Sequence, residues 1–167
     1  LQPASPAPPV AAVPRSPSAA SPTLPAIHPR SRPHAPGEIV LPAERADRYG
    51  RTFRLENFGG GPHIGYWWNP NDYVVWRIRT AREADYDVVL DYALGGSSPS
   101  SHVMISAGRA TLRFALPSTG NWSSFTERVV GRLRLSGGLA VLELRPDGRP
   151  ASGIMNLRTV RLREIVP

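Results

Sequence analysis

Asp72-Tyr73-Val74-Val75-Trp76-Arg77-Ile78-Arg79 is the stretch on which the fold turns. Val74, Trp76 and Ile78 fall on one side of an extended backbone, and Tyr73, Val75, Arg77 and Arg79 on the other. Side chains alternate across a strand, so this pattern describes a strand with one face in an apolar core. After a short break, Tyr86, Val88, Leu90 and Tyr92 alternate with Asp85, Asp87, Val89 and Asp91 in the same way. Trp76, Tyr86 and Tyr92 therefore belong to the core.

The pattern repeats outward in both directions. Upstream, Gly37 to Leu41 begins a short strand that ends at Pro42-Ala43-Glu44, residues 45–52 read as a loop, and Thr52 to Glu56 alternates weakly. Gly59, Gly60 and Gly61 mark a turn. Downstream, Val103 and Ile105 lead through Gly108-Arg109 into Leu112, Phe114 and Leu116, a hairpin pattern. Strands follow near 125–135 and 139–145, with Ser136-Gly137-Gly138 between them, and Ile154 to Leu162 is the last. No stretch keeps an apolar period of 3.6 over helical length. About nine short strands separated by Gly/Pro turns predict an antiparallel β-sandwich.

Composition bounds the rest. Of 19 prolines, 11 lie in residues 1–36, with many Ala and Ser and no acidic residue. Such a segment buries too little apolar surface to offset its ordering entropy, so it is expected to be a disordered linker before a domain at 37–167. All 20 basic residues are Arg. Three of them (Arg15, Arg30, Arg32) lie in the linker, which takes the net charge from +7 for the chain to +4 for the domain. That surplus is small and mixed with acid, which argues against nucleic acid as a partner. The absence of Cys excludes disulfides, thiolate metal sites and a Cys nucleophile. No run approaches the roughly 20 apolar residues of a membrane span. The chain begins at Leu1, as a processed or trimmed product would, and a Pro/Ala/Ser-rich leader before a compact domain points to a secreted or surface-displayed bacterial protein.

The candidate site lies just before the deciding strand, in His63-Ile64-Gly65-Tyr66-Trp67-Trp68-Asn69-Pro70-Asn71. Aromatics next to a turn are placed to meet something outside the fold, and of the adjacent pair Trp67 and Trp68 we expect Trp68 to be the more exposed. Trp122 lies in a polar loop with Asn121 and Ser123. Tyr66 has two readings at this point, a ligand contact or a plug on the end of the sandwich. Asn156 likewise either meets a ligand or satisfies backbone groups at the start of a strand. His63 and His102 are isolated, and a lone His is more often structural.

Several short motifs occur in a specific order: Ala43-Glu44 after the opening strand, Glu56-Asn57 before the Gly-rich turn, Ile64-Gly65-Tyr66, and Asp72-Tyr73-Val74. Asp85-Tyr86-Asp87-Val88 with Tyr92-Ala93, Ser118-Thr119-Gly120-Asn121-Trp122, a Gly-Gly before an apolar strand, and Met155-Asn156-Leu157 complete the set. Over residues 38–163 this order resembles the carbohydrate-binding modules of families 6 and 35, in a variant often appended to bacterial glycoside hydrolases such as fucosidases. The resemblance implies a β-jelly-roll whose loop end holds a sugar ring between Tyr66 and Trp122, with Asn156 bonding its hydroxyls. It also implies a poly- or oligosaccharide partner and a catalytic domain in the parent or a partner protein. The residue types suit that role, because a pyranose has an apolar C–H face for an aromatic ring and hydroxyls for an amide.

Modules of this type often hold a structural calcium, with two acidic ligands around the opening Ala-Glu and an Asp two places after the late Asn. Glu44 keeps one position, while Pro42 and Arg158 stand at the other two. Calcium takes several hard oxygen ligands and an Arg supplies none, so no metal is expected, and Arg158 is expected to pair with Glu44 in its place.

Nothing in the sequence marks an enzyme. Asp85, Asp87 and Asp91 share one outward phase and are expected to form a solvated face, paired with Arg77 and Arg79. No Ser-His-Asp order, metal-binding His cluster or phosphate loop occurs. The alternative function is a structural or protein-interaction sandwich that has lost sugar binding. A third reading makes Arg77 and Arg79, Arg132 and Arg134, and Arg161 and Arg163 a basic sheet face for acidic glycans; a mixed-charge solvated surface is the simpler account.

Overall fold

The computed structural model describes residues 37–96, 101–150 and 152–166, so the expected linker at 1–36 lies outside the described residues. In chain order the strands are β1 (Glu38–Pro42), β2 (Asp47–Tyr49), β3 (Arg54–Asn57), β4 (Pro62–Gly65), β5 (Tyr73–Thr80) and β6 (Ala84–Ala93). Then come β7 (Ser101–Ala107), β8 (Ala110–Leu116), β9 (Thr126–Leu135), β10 (Gly138–Pro146) and β11 (Asn156–Glu164). They form two antiparallel sheets, one ordered β3-β4-β11-β6-β9 with β1 also on β11, the other β2-β5-β10-β7-β8. The protein is an all-β sandwich of the jelly-roll kind.

Eleven strands replace the nine expected, and the stretch at 45–52 is not only loop. A single 3-10 turn at Ala43–Arg45 precedes β2, which pairs with β5 from Asp47↔Val75 to Tyr49↔Tyr73. Three residues are too few to show a period, so no sequence pattern marks this edge strand. The β7–β8 hairpin forms as expected, from Ser101↔Leu116 to Ala107↔Ala110, turning at Gly108 with φ +61°. β9 and β10 belong to different sheets, so the Gly137-Gly138 link crosses the sandwich.

The core is the apolar phase of the central strands. Val74, Trp76 and Ile78 face Val88, Leu90 and Tyr92, with Val103, Ile105, Leu142, Leu144, Val160 and Leu162 around them, all nearly or fully buried. The outward carboxylates are paired, although not with Arg77 and Arg79. Asp87 meets Arg132, Asp85 meets Arg134, and Asp91 meets Arg158. Arg77 pairs with Asp47 on its own sheet. β5 lies in the opposite sheet from β6, so the expected partners are out of reach. Arg161 and Arg163 share Glu38 and Glu127, which makes the Arg pairs part of mixed-charge faces.

One irregularity matters for the site. The β11–β6 register shifts between Leu157 and Thr159, leaving Arg158 as the extra residue of a bulge. Counting back by twos from Leu162 and Val160 would put Arg158 in the core; the bulge turns it out instead. Its guanidinium then reaches Asp91 at 3.2 Å, the carbonyl of Gly59, and the Phe125 ring at 3.8 Å.

Candidate functional site

Four segments meet at one end of the sandwich. The first leaves β4 at Gly65 and continues as Tyr66-Trp67-Trp68. Tyr66 is the one non-glycine among the described residues with positive φ (55°), which turns its ring outward and leaves it half exposed. Trp67 and Trp68 then point opposite ways. Trp67 is 1% exposed and donates from Nε1 to the Asp72 carbonyl at 3.1 Å, whereas Trp68 is 50% exposed.

A buried polar knot holds this segment. The Asp72 carboxylate accepts from the backbone N–H of Arg51 and Thr52 at 3.2 and 2.9 Å and from the Thr52 hydroxyl at 2.7 Å. The Thr52 oxygen in turn accepts from the N–H groups of Trp68 and Asn69, both at 3.3 Å. A buried carboxylate with three donors is satisfied, and here it fixes the backbone that presents Trp68. The Trp67 carbonyl also accepts from Ile154 N–H at 2.7 Å, tying the segment to the approach to β11.

Trp122 arrives from the β8–β9 loop. Ser118 Oγ donates to the carbonyls of Leu94 and Gly95, Thr119 N–H donates to Leu94, and Asn121 Oδ1 accepts from Ser123 N–H. The Trp122 carbonyl accepts from Asn156 Nδ2 at 2.8 Å. Its indole lies between two glycines. A Cβ on Gly95 would fall 2.6 Å from Cε2, and one on Gly153 would fall 2.8 Å from Cη2. Gly95 has no unusual φ, so what it supplies is space. Gly95→Ala is expected to push the indole out of its slot, lowering Tm by a few degrees, with an altered tryptophan fluorescence spectrum as the check.

Together Glu56, Phe58, Tyr66, Trp67, Trp68, Trp122, Gly153 and Asn156 line a cavity of about 240 Å³. The structure thus brings all four residues singled out from sequence (Tyr66, Trp68, Trp122 and Asn156) to one pocket. Trp68 and Trp122 stand 6.3 Å apart at 45°. Asn156 is 5% exposed, and one of its two amide N–H groups is taken up by the Trp122 carbonyl.

Glu56 shows in the sequence only as a weakly alternating residue before the Gly-rich turn, and neither it nor Phe58 is among the site candidates read from sequence. Glu56 is opposite His63 in the β3–β4 ladder. His63 is fully buried, engages the Gly61 carbonyl through Nδ1, and sits edge-on between Phe58 and Phe125. Its Nε2 has no hydrogen-bond partner and lies 3.5 Å from Glu56 Oε2.

The residues around Glu44 do not fit a calcium site. The pairing of Arg158 with Glu44 expected from sequence does not form; the bulge sends Arg158 to Asp91, Gly59 and Phe125 instead, while Glu44 is exposed. Among the described residues no three His, Asp or Glu side chains gather as metal ligands. Adding calcium or a chelator is expected to leave Tm unchanged in a scanning calorimetry titration.

No family model matches the chain, and no curated protein is significantly similar to it. Solved structures are. A family 35 carbohydrate-binding module from Clostridium thermocellum superposes with a TM-score of 0.64 at 19% identity, covering 75% of this chain and 96% of that one. The C-terminal family 6 module of LamC, a marine laminarinase from Zobellia galactanivorans, gives 0.63 at 20% identity, covering 75% and 98%. The Podospora anserina GH26-CBM35 β-(1,4)-mannanase gives 0.62 at 18% identity, and there the match spans 28% of the larger chain. By fold the protein is of the type seen in family 6 and family 35 carbohydrate-binding modules. Among the described residues no helix is long and apolar enough to cross a membrane.

Proposed function

We propose that the protein is a non-catalytic carbohydrate-binding module that holds one unit of a poly- or oligosaccharide in the pocket at the loop end of its sandwich. The observation that carries this is the convergence of Tyr66, Trp68, Trp122 and Asn156, drawn from three distant segments, on one aromatic cavity. At about 240 Å³ it is smaller than the roughly 300–1,000 Å³ of pockets for drug-sized ligands, a size that suits a single sugar ring. Trp68 and Trp122 offer ring faces to the sugar's C–H surface, and Asn156 Oδ1 and Glu56 offer acceptors to its hydroxyls.

The modules of similar fold that occur within glycan-degrading enzymes support a role as the sugar-holding part of a secreted hydrolase. Catalysis itself would reside in a separate domain. A glycan array probed with the full chain is the test. Retention of at least one glycan, competed by the free sugar, is the expected result. Retention of none would favour a structural or protein-interaction sandwich.

A further inference from the structure

We infer that the sugar unit held in this pocket carries a protonated primary amine, and that Glu56 is the residue that selects it. The inference rests on the carbohydrate-binding reading and narrows its ligand. Every acidic residue of the described chain except Glu44, Glu56 and Asp72 is ion-paired with an arginine. Glu44 is solvent-exposed, and Asp72 is satisfied by three donors. Glu56 has neither solution. Its side chain is 21% exposed, and its nearest partner is a histidine nitrogen at 3.5 Å that makes no hydrogen bond. Of the three carboxylates without an arginine, Glu56 is the one on the pocket wall.

The rest of the wall points the same way. Asn156 gives one of its two amide N–H groups to the Trp122 carbonyl, and its Oδ1 lies beside Glu56, 3.0 Å from where a Cβ on Gly65 would stand. The Glu56 carboxylate and Asn156 Oδ1 present acceptors beside the second Asn156 N–H, while Tyr66, Trp68, Trp122 and Phe58 present aromatic rings. Among the described residues no arginine lines the cavity. Arg54 lies over the Tyr66 ring at 5.2 Å, and Arg158 is spent on Asp91, Gly59 and Phe125. Aromatic walls with one carboxylate that no arginine pairs favour a cation. An amino sugar supplies both the cation and the apolar ring face, whereas a uronate would set carboxylate against carboxylate.

The test is an NMR titration of the full chain with matched monosaccharide pairs, glucosamine against glucose and galactosamine against galactose, in neutral low-salt buffer. The amine member of one pair is expected to bind about tenfold tighter, a preference that shrinks in high salt and falls to parity within the pair in Glu56→Gln. The protein's net charge of +7 opposes non-specific attraction of a cationic sugar, so such a preference is local in origin. Equal binding within each pair, or a preference that survives Glu56→Gln, overturns the inference and leaves the carbohydrate reading standing. Absence of binding by all four sugars also overturns it, and the glycan array then decides the broader reading independently.

Discussion

Replacing Trp122 by alanine is expected to abolish measurable glycan retention while leaving the sandwich folded. The indole is a partly buried aromatic wall of the cavity and is positioned by Asn156 and by the slot between Gly95 and Gly153. Losing a central aromatic anchor in a binding site costs about 2 kcal/mol or more. Shallow sugar sites bind at about millimolar to micromolar affinity, or roughly −4 to −8 kcal/mol, so that loss takes the weaker complexes below detection. The loop around it is held by the hydroxyls of Ser118 and Thr119 and the side-chain amide oxygen of Asn121, which the substitution spares. Affinity electrophoresis on a glycan retained by the parent chain, with Tm measured alongside, checks both halves. Undiminished retention with an unchanged Tm would remove Trp122 from the site.

The second large effect is on stability. Trp67→Ala is expected to cost about 3–5 kcal/mol, the usual range for truncating a fully buried aromatic. Trp67 is 1% exposed, packs edge-on against Phe53 at 5.5 Å, and donates to the Asp72 carbonyl, so the truncation leaves both a void and an unpaired acceptor. For a domain of this size the corresponding fall in Tm is about 10–20 °C. Trp68→Ala, one residue on, is expected to leave Tm nearly unchanged because its ring is half exposed. The contrast between adjacent tryptophans, read by thermal denaturation, tests the orientation of the whole segment. Similar Tm losses in the two variants would show that the orientation is wrong.

Much of the sandwich was legible because half-buried strands carry a period of two. β5 and β6 declare which of their residues enter the core, and Trp76, Tyr86 and Tyr92 are buried accordingly. What lacked a period was misjudged. β2 is three residues long and disappeared into a loop. Arg158 sits in a bulge, where counting by twos fails and the side chain's direction is set by the partner strand. The partners of Asp85 and Asp87 were misassigned for a related reason, since alternation says which way a side chain faces and nothing about which strand lies beside it.

The sequence by itself determined the fold class, the core phase of the long strands, and the aromatic candidates Tyr66, Trp68 and Trp122. These are local properties, written in alternation and in aromatics beside turns. The tertiary structure alone decided that those aromatics and Asn156 share one cavity, that Glu56 lines it, and that Arg158 leaves Glu44 for Asp91. The physical reason is register. Pairing between strands far apart in the chain fixes which residues meet, and a single bulge or crossing between sheets reassigns them all.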